Sequence, residues 1–399
     1  MQLKKKLLLT AVGMACHLSA HAQSATFDVE TQELHLPVVD VMLKDEQVGK
    51  FEVEMQLVPN TIVSDFTIKK ITPITSSIST DGILGHITNR GSLACGMDNQ
   101  LSTLQGGFVF INENGQIRGF DVDFCRAVAA AVLNNANVVA PVMVVPGNRQ
   151  VALKPGNVDI LTAITTWTSS RDASWGNFTW ITLYDGQGFV VKKDSGITSI
   201  EQFEGATICV TGGTTTIVNL EEVFNQRGIS FTPVVFSNDN QAFSAYEQGQ
   251  CTAYTTDRSL LSVIIYKSDT PNAHLLLDET ISKEPLAPSV PFGDEQWLKI
   301  VRTVIFGLIN AEELGITQAN VDTMMNSDNP EVKRLLGVEG SFGQAELGLE
   351  TDAIARAVRA VGNYGEIYER NLGTGGIGIP RGLNKLWTDG GLIYAPPLR

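Results

Sequence analysis

Two patterns of hydrophobic and polar residues divide the chain. Between residues 23 and 71, apolar and polar side chains alternate with a period of two, in runs that include 34–38 and 51–57. This period puts alternate side chains on one face, so it predicts half-buried antiparallel strands in a small β module. The stretch over residues 72–82 is rich in Ser and Thr and predicts a linker.

Beyond about residue 83, short apolar runs alternate with helical patterns. This alternation predicts an α/β fold with a largely parallel sheet. The predicted strands are 92–97, 142–145, 158–161, 206–210, 232–235 and 253–256. The predicted helices are 124–132, 148–154, 212–224, 240–247, 295–314, 318–325, 330–336 and 352–369.

Two segments are expected to carry the chain between two lobes. Residues 184–191 form an extended stretch with two glycines, and residues 281–286 form a second crossing. We therefore predict lobe one over 83–187 and 286–399, and lobe two over 188–285. A clamp of this kind closes around a ligand through its hinge.

Length and charge limit the function. The 399 residues suffice for two domains. The net charge of −14 and the sequence pI near 4.8 exclude nucleic-acid binding, which needs a basic face. We expect no nucleic-acid partner and, because no metal-ligand spacing occurs, no metal or cofactor.

The N-terminus has the organisation of a signal peptide. Three lysines precede an apolar core over residues 7–18, and Ala20, His21 and Ala22 form a small-x-small cleavage site. We predict a signal peptide over 1–22, cleavage near Ala22 and export to the periplasm. The apolar core is too short to span a bilayer.

Four cysteines remain after this segment, namely Cys95, Cys125, Cys209 and Cys251. An exported chain meets an oxidising compartment, so an even number of cysteines favours disulfides. Three pairings are possible. Cys95 with Cys125 and Cys209 with Cys251 would each stay within one lobe, whereas a bridge between lobes would lock the hinge. Four buried free thiols are the alternative.

Polar residues collect where the predicted strands end, which is where ligands bind in open α/β sheets. Asp98 and the sequence Thr-Thr-Trp-Thr-Ser-Ser-Arg at 165–171 belong to lobe one, and Gly-Gly-Thr-Thr-Thr at 212–216 and Asp257 to lobe two. Arginine, hydroxyl and N–H donors suit a carboxylate, and an acid suits an ammonium. This mixture is what an amino-acid zwitterion requires.

Each of these groups has a structural alternative. Residues 165–171 would also suit a Ser/Thr helix cap with a solvated Arg171, and Asp257 would suit a helix N-cap. Residues 212–216 lack the Gly-Lys-Ser/Thr ending of a phosphate-binding P-loop.

Nine short segments occur in a defined order along the chain. They are Gly-Phe-Asp-Val-Asp at 119–123, Cys-Arg-Ala-Val at 125–128, Thr-Thr-Trp-Thr-Ser-Ser-Arg-Asp at 165–172, Tyr-Asp-Gly-Gln-Gly-Phe at 184–189, Gly-Thr-Thr-Thr at 213–216, Tyr-Thr-Thr-Asp at 254–257, Ile-Ser-Lys-Glu-Pro-Leu at 281–286, Asn-Ala-Glu-Glu-Leu-Gly at 310–315 and Val-Gly-Asn-Tyr-Gly-Glu-Ile at 361–367. With these segments, the chain from about residue 83 resembles the periplasmic general L-amino-acid-binding proteins of bacterial ABC importers. The β module before residue 72 has no counterpart in that family.

The resemblance implies a two-lobed type II periplasmic binding fold and a set of ligand contacts. Thr166 and Arg171 match the family's carboxylate ligands, and Thr214 and Thr215 match donors from lobe two. Asp257 matches the residue that binds the ligand ammonium.

The same resemblance indicates where a ligand side chain would lie. Asp98 matches a residue near the side-chain end, and Arg149 lies where relatives that bind glutamate or aspartate place an arginine. The alternative for Arg149 is a solvated helix residue. Because the stretch between Gly96 and Gly119 is longer than in the relatives, the ring that stacks on the ligand stays open, with Phe108 as one candidate.

The resemblance implies a monomeric binding protein that captures L-amino acids, polar and acidic ones included, and delivers them to the membrane permease of an ABC importer. One alternative is a sensory or adhesive protein that uses the β module for a partner. Another is an enzyme on the same fold, similar to a cyclohexadienyl dehydratase. The five histidines lie outside the predicted cleft segments, so the cleft lacks the commonest acid–base residue and we expect no enzymatic activity.

Overall fold

The computed structural model describes residues 7–11, 14–20, 26–28, 33–43, 46–58, 65–73, 82–99 and 103–399. The chain divides into two compact units, residues 1–81 and residues 82–399. No helix in the described residues is long and apolar enough to cross a membrane.

The first unit contains an antiparallel β-sheet. Its strands are β1 (Leu7–Ala11), β2 (Met14–Ala20), β3 (Thr26–Asp28), β4 (Glu33–Leu43), β5 (Glu46–Val58) and β6 (Asp65–Pro73). Their order is β1-β2-β4-β5-β6, and β3 also pairs with β4. Strands β3 to β6 coincide with the alternating runs, and the bounds of the β module stay a prediction. Strands β1 and β2 fall in the predicted signal peptide, whereas Ala22 and residues 74–81 of the predicted linker lie outside the described residues.

The second unit is a two-lobed α/β structure. Its strands are β7 (Leu93–Asp98), β8 (Phe110–Ile111), β9 (Ile117–Arg118), β10 (Val139–Val144), β11 (Ile160–Leu161), β12 (Asn177–Phe178), β13 (Leu183–Asp185), β14 (Gln187–Lys192), β15 (Ala206–Thr211), β16 (Phe231–Phe236), β17 (Ala253–Asp257), β18 (His274–Leu276), β19 (Glu284–Leu286) and β20 (Ser289–Val290). Its helices are α1 (Gly82–Arg90), α2 (Phe120–Leu133), α3 (Arg149–Ala152), α4 (Ser169–Ser174), α5 (Thr216–Arg227), α6 (Asp239–Glu247), α7 (Arg258–Lys267), α8 (Glu295–Glu313), α9 (Val321–Met324), α10 (Pro330–Leu335), α11 (Gln344–Leu347), α12 (Ala353–Val361) and α13 (Tyr364–Asn371). Short 3₁₀ helices lie at Pro146–Asn148, Lys193–Ser195, Ile200–Phe203, Pro271–Ala273, Gly382–Asn384 and Trp387–Asp389.

Each lobe is built on one five-stranded sheet. The order is β10-β7-β11-β20-β12 in lobe one and β16-β15-β17-β14-β18 in lobe two. Four strands of each sheet run in the same direction, but β20 and β14 run antiparallel to both of their neighbours. Both sheets are therefore mixed, and the expectation of a largely parallel sheet is wrong for these strands. Each antiparallel strand enters its sheet just after a crossing, which fixes its direction.

The crossings form a two-stranded antiparallel ladder. Strand β13 pairs with β19, so that Asp185 lies opposite Glu284. Thr166 of lobe one makes a further bridge to Leu286. This ladder is the hinge. The exact lobe boundaries given above stay predictions.

The core of lobe one surrounds α2, which is buried along nearly its whole length. The helix packs on α12, α8 and β7. Phe120 makes edge contacts with Phe124, Tyr364 and Tyr368. From Ala127 to Ala131 the helix is apolar on all sides because it is central rather than at the surface.

The single helix predicted over 352–369 is in fact two helices. Gly362 has φ of +79°, which ends α12. Asn363 then caps α13, accepting a 2.9 Å hydrogen bond from the N–H of Glu366, whose side chain accepts one in return from the N–H of Asn363. A glycine with positive φ followed by a capping box separates the helices.

Two disulfides close within lobes. Cys95 of β7 bonds to Cys125 of α2, and Cys209 of β15 bonds to Cys251 just before β17. This is the pairing that leaves the hinge free, and the alternative of four free thiols is wrong.

The C-terminal tail runs over lobe one and reaches the hinge. Trp180 donates from Nε1 to the carbonyl of Tyr394 at 2.9 Å. The side chain of Asn384 accepts from the N–H of Tyr184 at 2.7 Å and donates to its carbonyl at 3.0 Å. The tail therefore supplies both partners for one residue of β13.

Candidate ligand-binding cleft

The predicted site residues meet between the lobes. Asp98 ends β7, Asp257 ends β17, and the loop after β11 carries Thr166 into α4. One narrow cavity in the cleft is lined by Arg149, Ile164, Thr166, Arg171, Thr214, Thr215, Thr216, Asp239, Thr256, Asp257 and Leu260. Six of the seven predicted ligand residues line this cavity, and the seventh, Asp98, contacts Arg149.

Arg171 is held in place by its own helix start. Thr168 caps α4, accepting from the N–H of Arg171 at 3.2 Å. The guanidinium donates to the carbonyl of Thr166 at 3.0 Å and lies over the ring of Trp175. The capping alternative is thus right for Thr168, but Arg171 is buried rather than solvated. Burial, with the nearby charge of Arg149, lowers the pKa of Arg171 to about 10.

Asp257 is buried and faces the cavity. It occupies the N-cap position of α7, as the alternative predicts, yet its side chain makes no capping hydrogen bond. Only 7% of the residue is exposed. Burial raises its pKa well above the usual value, and the charges of Asp185 and Glu284 raise it further. A buried carboxylate among acids is stabilised by a cation such as an ammonium.

Glu284 is a residue of the site that sequence reasoning missed. Its carboxylate accepts hydrogen bonds from Thr166 at 2.6 Å and Thr215 at 2.9 Å, and from Asn219 and Ser282 at 2.6 Å each. The donors come from lobe one, lobe two and the hinge. The only signal in the sequence was a glutamate inside the second crossing, and such a residue is usually solvated.

Glu284 changes the role expected of the threonine hydroxyls that were predicted to donate to a ligand carboxylate. The hydroxyls of Thr166 and Thr215 donate to this carboxylate, and the hydroxyl of Thr214 donates to the carbonyl of Thr211 at 2.7 Å. In the structure these three hydroxyls therefore have acceptors within the protein. Arg171 remains a charged group available for a carboxylate in the cavity, as does Arg149.

Arg149 and Asp98 form a buried ion pair, with Nη2 and Oδ2 at 3.8 Å. Arg149 is only 5% exposed, so the alternative of a solvated helix arginine is wrong. Among the described residues, Nε of Arg149 has no hydrogen-bond partner. An unpaired buried donor costs about 1–3 kcal/mol, so this atom favours an acceptor on a ligand.

A second cavity of about 330 Å³ adjoins the first. Its lining residues are Asp98, Phe108, Val109, Ile164, Asn240, Phe243, Glu247, Leu260, Val263, Ile264, Lys267, Ser268 and Asp269. Ile164 and Leu260 line both cavities. Phe108, the candidate ring, lies in this second cavity.

Titratable groups near the cleft give no metal cluster in the part of the chain that the structure describes. No group of three or more His, Cys, Asp or Glu side chains there is arranged to hold a metal ion. His274 lies in lobe two, where Nδ1 bonds to the hydroxyl of Tyr246 and Nε2 lies 3.6 Å from Glu247. Among the described residues, neither cavity is lined by a histidine or a cysteine.

A family model and the most similar relatives place the chain in the same protein family. Residues 105–374 match the model of the bacterial extracellular solute-binding proteins, family 3. The chain is 43% identical over 343 residues to the general L-amino acid-binding periplasmic protein AapJ of Rhizobium johnstonii, covering 85% of this chain and 99% of AapJ. It is 44% identical over 321 residues to the glutamate/glutamine/aspartate/asparagine-binding protein BztA of Rhodobacter capsulatus, covering 79% of this chain and 93% of BztA.

A solved structure shares the fold. It is the periplasmic binding protein of an ABC transporter from Brucella ovis with glutathione bound, at 44% identity and a TM-score of 0.76. The match covers 79% of this chain and 99% of that one. It confirms the two-lobed fold.

Proposed function

Because the chain belongs to family 3 of the bacterial extracellular solute-binding proteins, we propose that it captures L-amino acids in the periplasm and delivers them to the permease of an ABC importer. The observation that carries the proposal is that Arg171 and Asp257 line the same cavity. An arginine and an acid on opposite lobes match the two charges of an amino acid.

In the proposed pose, the ligand carboxylate pairs with Arg171 and the ligand ammonium with Asp257. Asp257 belongs to lobe two and Arg171 to lobe one, so a zwitterion joins the lobes by charge. Hinge closure follows, because the bound form has contacts that the open form lacks. The hydroxyls of Thr166, Thr214 and Thr215 shape the carboxylate end.

Arg149 extends the proposal to acidic amino acids. Among the described residues its Nε is buried without a partner, and its ion pair with Asp98 is long at 3.8 Å. A side-chain carboxylate or amide of the ligand supplies the missing acceptor. The printed name of BztA, which includes glutamate, glutamine, aspartate and asparagine, supports this range.

Glutathione is a second candidate ligand, since the Brucella ovis structure has it bound at 44% identity. Glutathione begins with a glutamyl group that keeps its α-ammonium and α-carboxylate. It therefore satisfies the same two charges as an amino acid.

We propose no enzymatic activity and a monomeric protein. The relatives reported above are named as binding proteins. The described lining of the cleft offers no histidine or cysteine for acid–base or nucleophilic chemistry. A sensory or adhesive role has no observation in its favour.

Thermal unfolding of the mature protein, with each of the twenty L-amino acids, tests the function. A hundredfold excess over Kd stabilises the folded state by about 2.7 kcal/mol. We expect stabilisation by L-amino acids, and none by the D-enantiomers or by sugars. Failure of every L-amino acid to stabilise the protein would overturn the proposal.

A further inference from the structure

The second cavity lies beyond the side-chain end of the proposed amino-acid site. Its volume of about 330 Å³ is at the lower end of the range for small-molecule sites. Arg149 lines the first cavity and Asp98 the second, so their ion pair lies where the two meet. A ligand longer than one amino acid can therefore continue from the first cavity into the second.

Lys267 brings a positive charge to this second cavity. It ends α7 in lobe two, and it is half-buried. A Cβ built on Gly107 of lobe one would lie 3.4 Å from its Nζ, so the ammonium reaches across the cleft. Within residues 82–99 and 103–399, this ammonium makes no hydrogen bond or ion pair. A partly buried ammonium without an acceptor favours an anionic partner.

The other groups of the cavity suit peptide bonds. Asn240, at the start of α6, offers a carboxamide that both donates and accepts. Phe108 and Phe243 supply apolar surface. Glu247 is engaged by His274 at 3.6 Å. The cavity thus combines one amide group, apolar walls, the acids Asp98, Glu247 and Asp269, and one ammonium without a partner in the described residues.

The first cavity restricts how a longer ligand is linked. Arg171 and Asp257 require a free α-carboxylate and a free α-ammonium on the same carbon. An ordinary peptide bond consumes the α-carboxylate of the first residue. A peptide joined through the side-chain carboxyl of glutamate keeps both groups and ends in a further carboxylate.

We infer that the cleft binds γ-glutamyl peptides as a class, with the glutamyl group in the first cavity and the C-terminal carboxylate on Nζ of Lys267. This inference rests on the proposed amino-acid function and adds a ligand class and a specificity residue. Lys267 contacts only the C-terminal end of the peptide, so it does not affect the affinity for a single amino acid.

Titration calorimetry with three ligands tests the inference. The ligands are L-glutamate, S-methylglutathione, and the isomer of S-methylglutathione that has an α-glutamyl link. The methylated thiol prevents exchange with the disulfides Cys95–Cys125 and Cys209–Cys251. We expect the wild-type protein to bind glutamate and the γ-linked tripeptide, and to bind the α-linked isomer at least tenfold more weakly.

The Lys267→Met variant locates the far carboxylate. We expect it to bind the γ-linked tripeptide at least tenfold more weakly and glutamate within twofold of wild type. Lys267→Arg keeps the charge and should retain most of the tripeptide affinity. Lys299→Met, which removes a charge at an exposed position of α8, is the matched control and should change neither affinity.

The contrary outcomes are distinguishable. Glutamate binding without tripeptide binding overturns the inference and leaves the proposed function standing. Equal losses of glutamate and tripeptide affinity in Lys267→Met also overturn it, because Lys267 would then act on lobe closure. Failure to bind either ligand overturns the proposed function and the inference together.

Discussion

Thr166 and Glu284 are joined by a 2.6 Å hydrogen bond between the threonine hydroxyl and Oε2 of the carboxylate. The same oxygen accepts from Thr215 at 2.9 Å. One oxygen of the hinge therefore joins lobe one to the start of a helix in lobe two. A ligand carboxylate placed beside these threonines is close to a protein carboxylate, which makes the positive charge of Arg171 necessary.

Asp257→Asn should raise stability and lower affinity. Burial and the neighbouring acids raise the pKa of Asp257. An acid whose pKa is raised by folding loses stability as the pH rises from its unfolded pKa through its folded pKa. Near neutral pH the unliganded variant should therefore have a higher Tm, while its amino-acid affinity falls well over tenfold because the ligand ammonium is left unpaired.

Thermal unfolding and calorimetry of the same Asp257→Asn preparation check both effects. Asp389→Asn, at an exposed position, is the control and should leave both values unchanged. Near-wild-type affinity in Asp257→Asn would contradict the assignment of the ammonium site.

Glu284→Gln should loosen the closed hinge. The substituted amide can accept at only one of its two ends, so one of the two pairs of donors, Thr166 with Thr215 or Asn219 with Ser282, loses its acceptor. A loss of about 1–3 kcal/mol in the free energy of unfolding follows. Urea unfolding measures this loss, and small-angle X-ray scattering should show a larger radius of gyration without ligand.

The exposed Glu350→Gln is the matched control for this substitution. If Glu284→Gln unfolds at the wild-type urea concentration and keeps the wild-type radius, Glu284 does not hold the lobes together.

Arg149→Met should change the ranking of ligands. Removal of the buried guanidinium takes away the partner for an acidic side chain, so glutamate and aspartate should lose at least tenfold in affinity, on the scale of one charge-assisted hydrogen bond of about 1.5–3 kcal/mol. Alanine, which has no such group, should lose much less. Calorimetry with glutamate and alanine gives the ratio, with the exposed Arg227→Met as the control. Equal losses for both amino acids would assign Arg149 a purely structural role.

The affinity for γ-glutamyl peptides should fall as the pH rises. Burial lowers the pKa of Lys267 to about 8, so its ammonium loses its proton just above neutrality. The charged groups of the same cavity are Asp98, Glu247 and Asp269. Calorimetry from about pH 7 to about pH 9 should show that the affinity for S-methylglutathione falls more than the affinity for glutamate. Glutamate is the reference because its affinity reports the titration of the ligand amino group alone. Parallel changes for both ligands would speak against Lys267 as the partner.

Removal of either disulfide should lower stability without lowering affinity. Each bridge closes a loop within one lobe, with sequence separations of 30 and 42 residues. The loss expected for such loops is roughly 2–4 kcal/mol. In Cys209→Ser/Cys251→Ser, Tm should fall while the amino-acid Kd at moderate temperature stays within about twofold. A large rise in Kd would mean that the bridge acts on the cleft.

The sequence predicts the positions of the strands in this fold better than the pairing and direction of those strands in the sheets. Short apolar runs mark β7 and β15 because buried strands need continuous apolar residues. The antiparallel insertion of β14 and β20 has no local signal, because it depends on where the hinge returns the chain. The break at Gly362 was readable, since a glycine followed by an Asn and, three residues later, a Glu marks a helix end and a new cap.

The residues of the candidate site likewise fall into those that the sequence predicts and those that it does not. Arg171 and Asp257 were predicted because polar residues at the end of a buried strand, or in the loop and helix start that follow it, lie at the open edge of the sheet. Glu284 and Lys267 were missed, because both are charged residues whose burial comes from the opposing lobe. No spacing along the chain encodes a contact made across a cleft.

The bonds between Asn384 and Tyr184 have a consequence for biosynthesis. The two residues are 200 positions apart, and chains fold from their N-terminal domains onward as they are made. Both lobe sheets are complete once residue 290 has been added. The hinge strand must wait almost a hundred residues longer for its side-chain partner, so the moving part of the molecule is among the last to be finished.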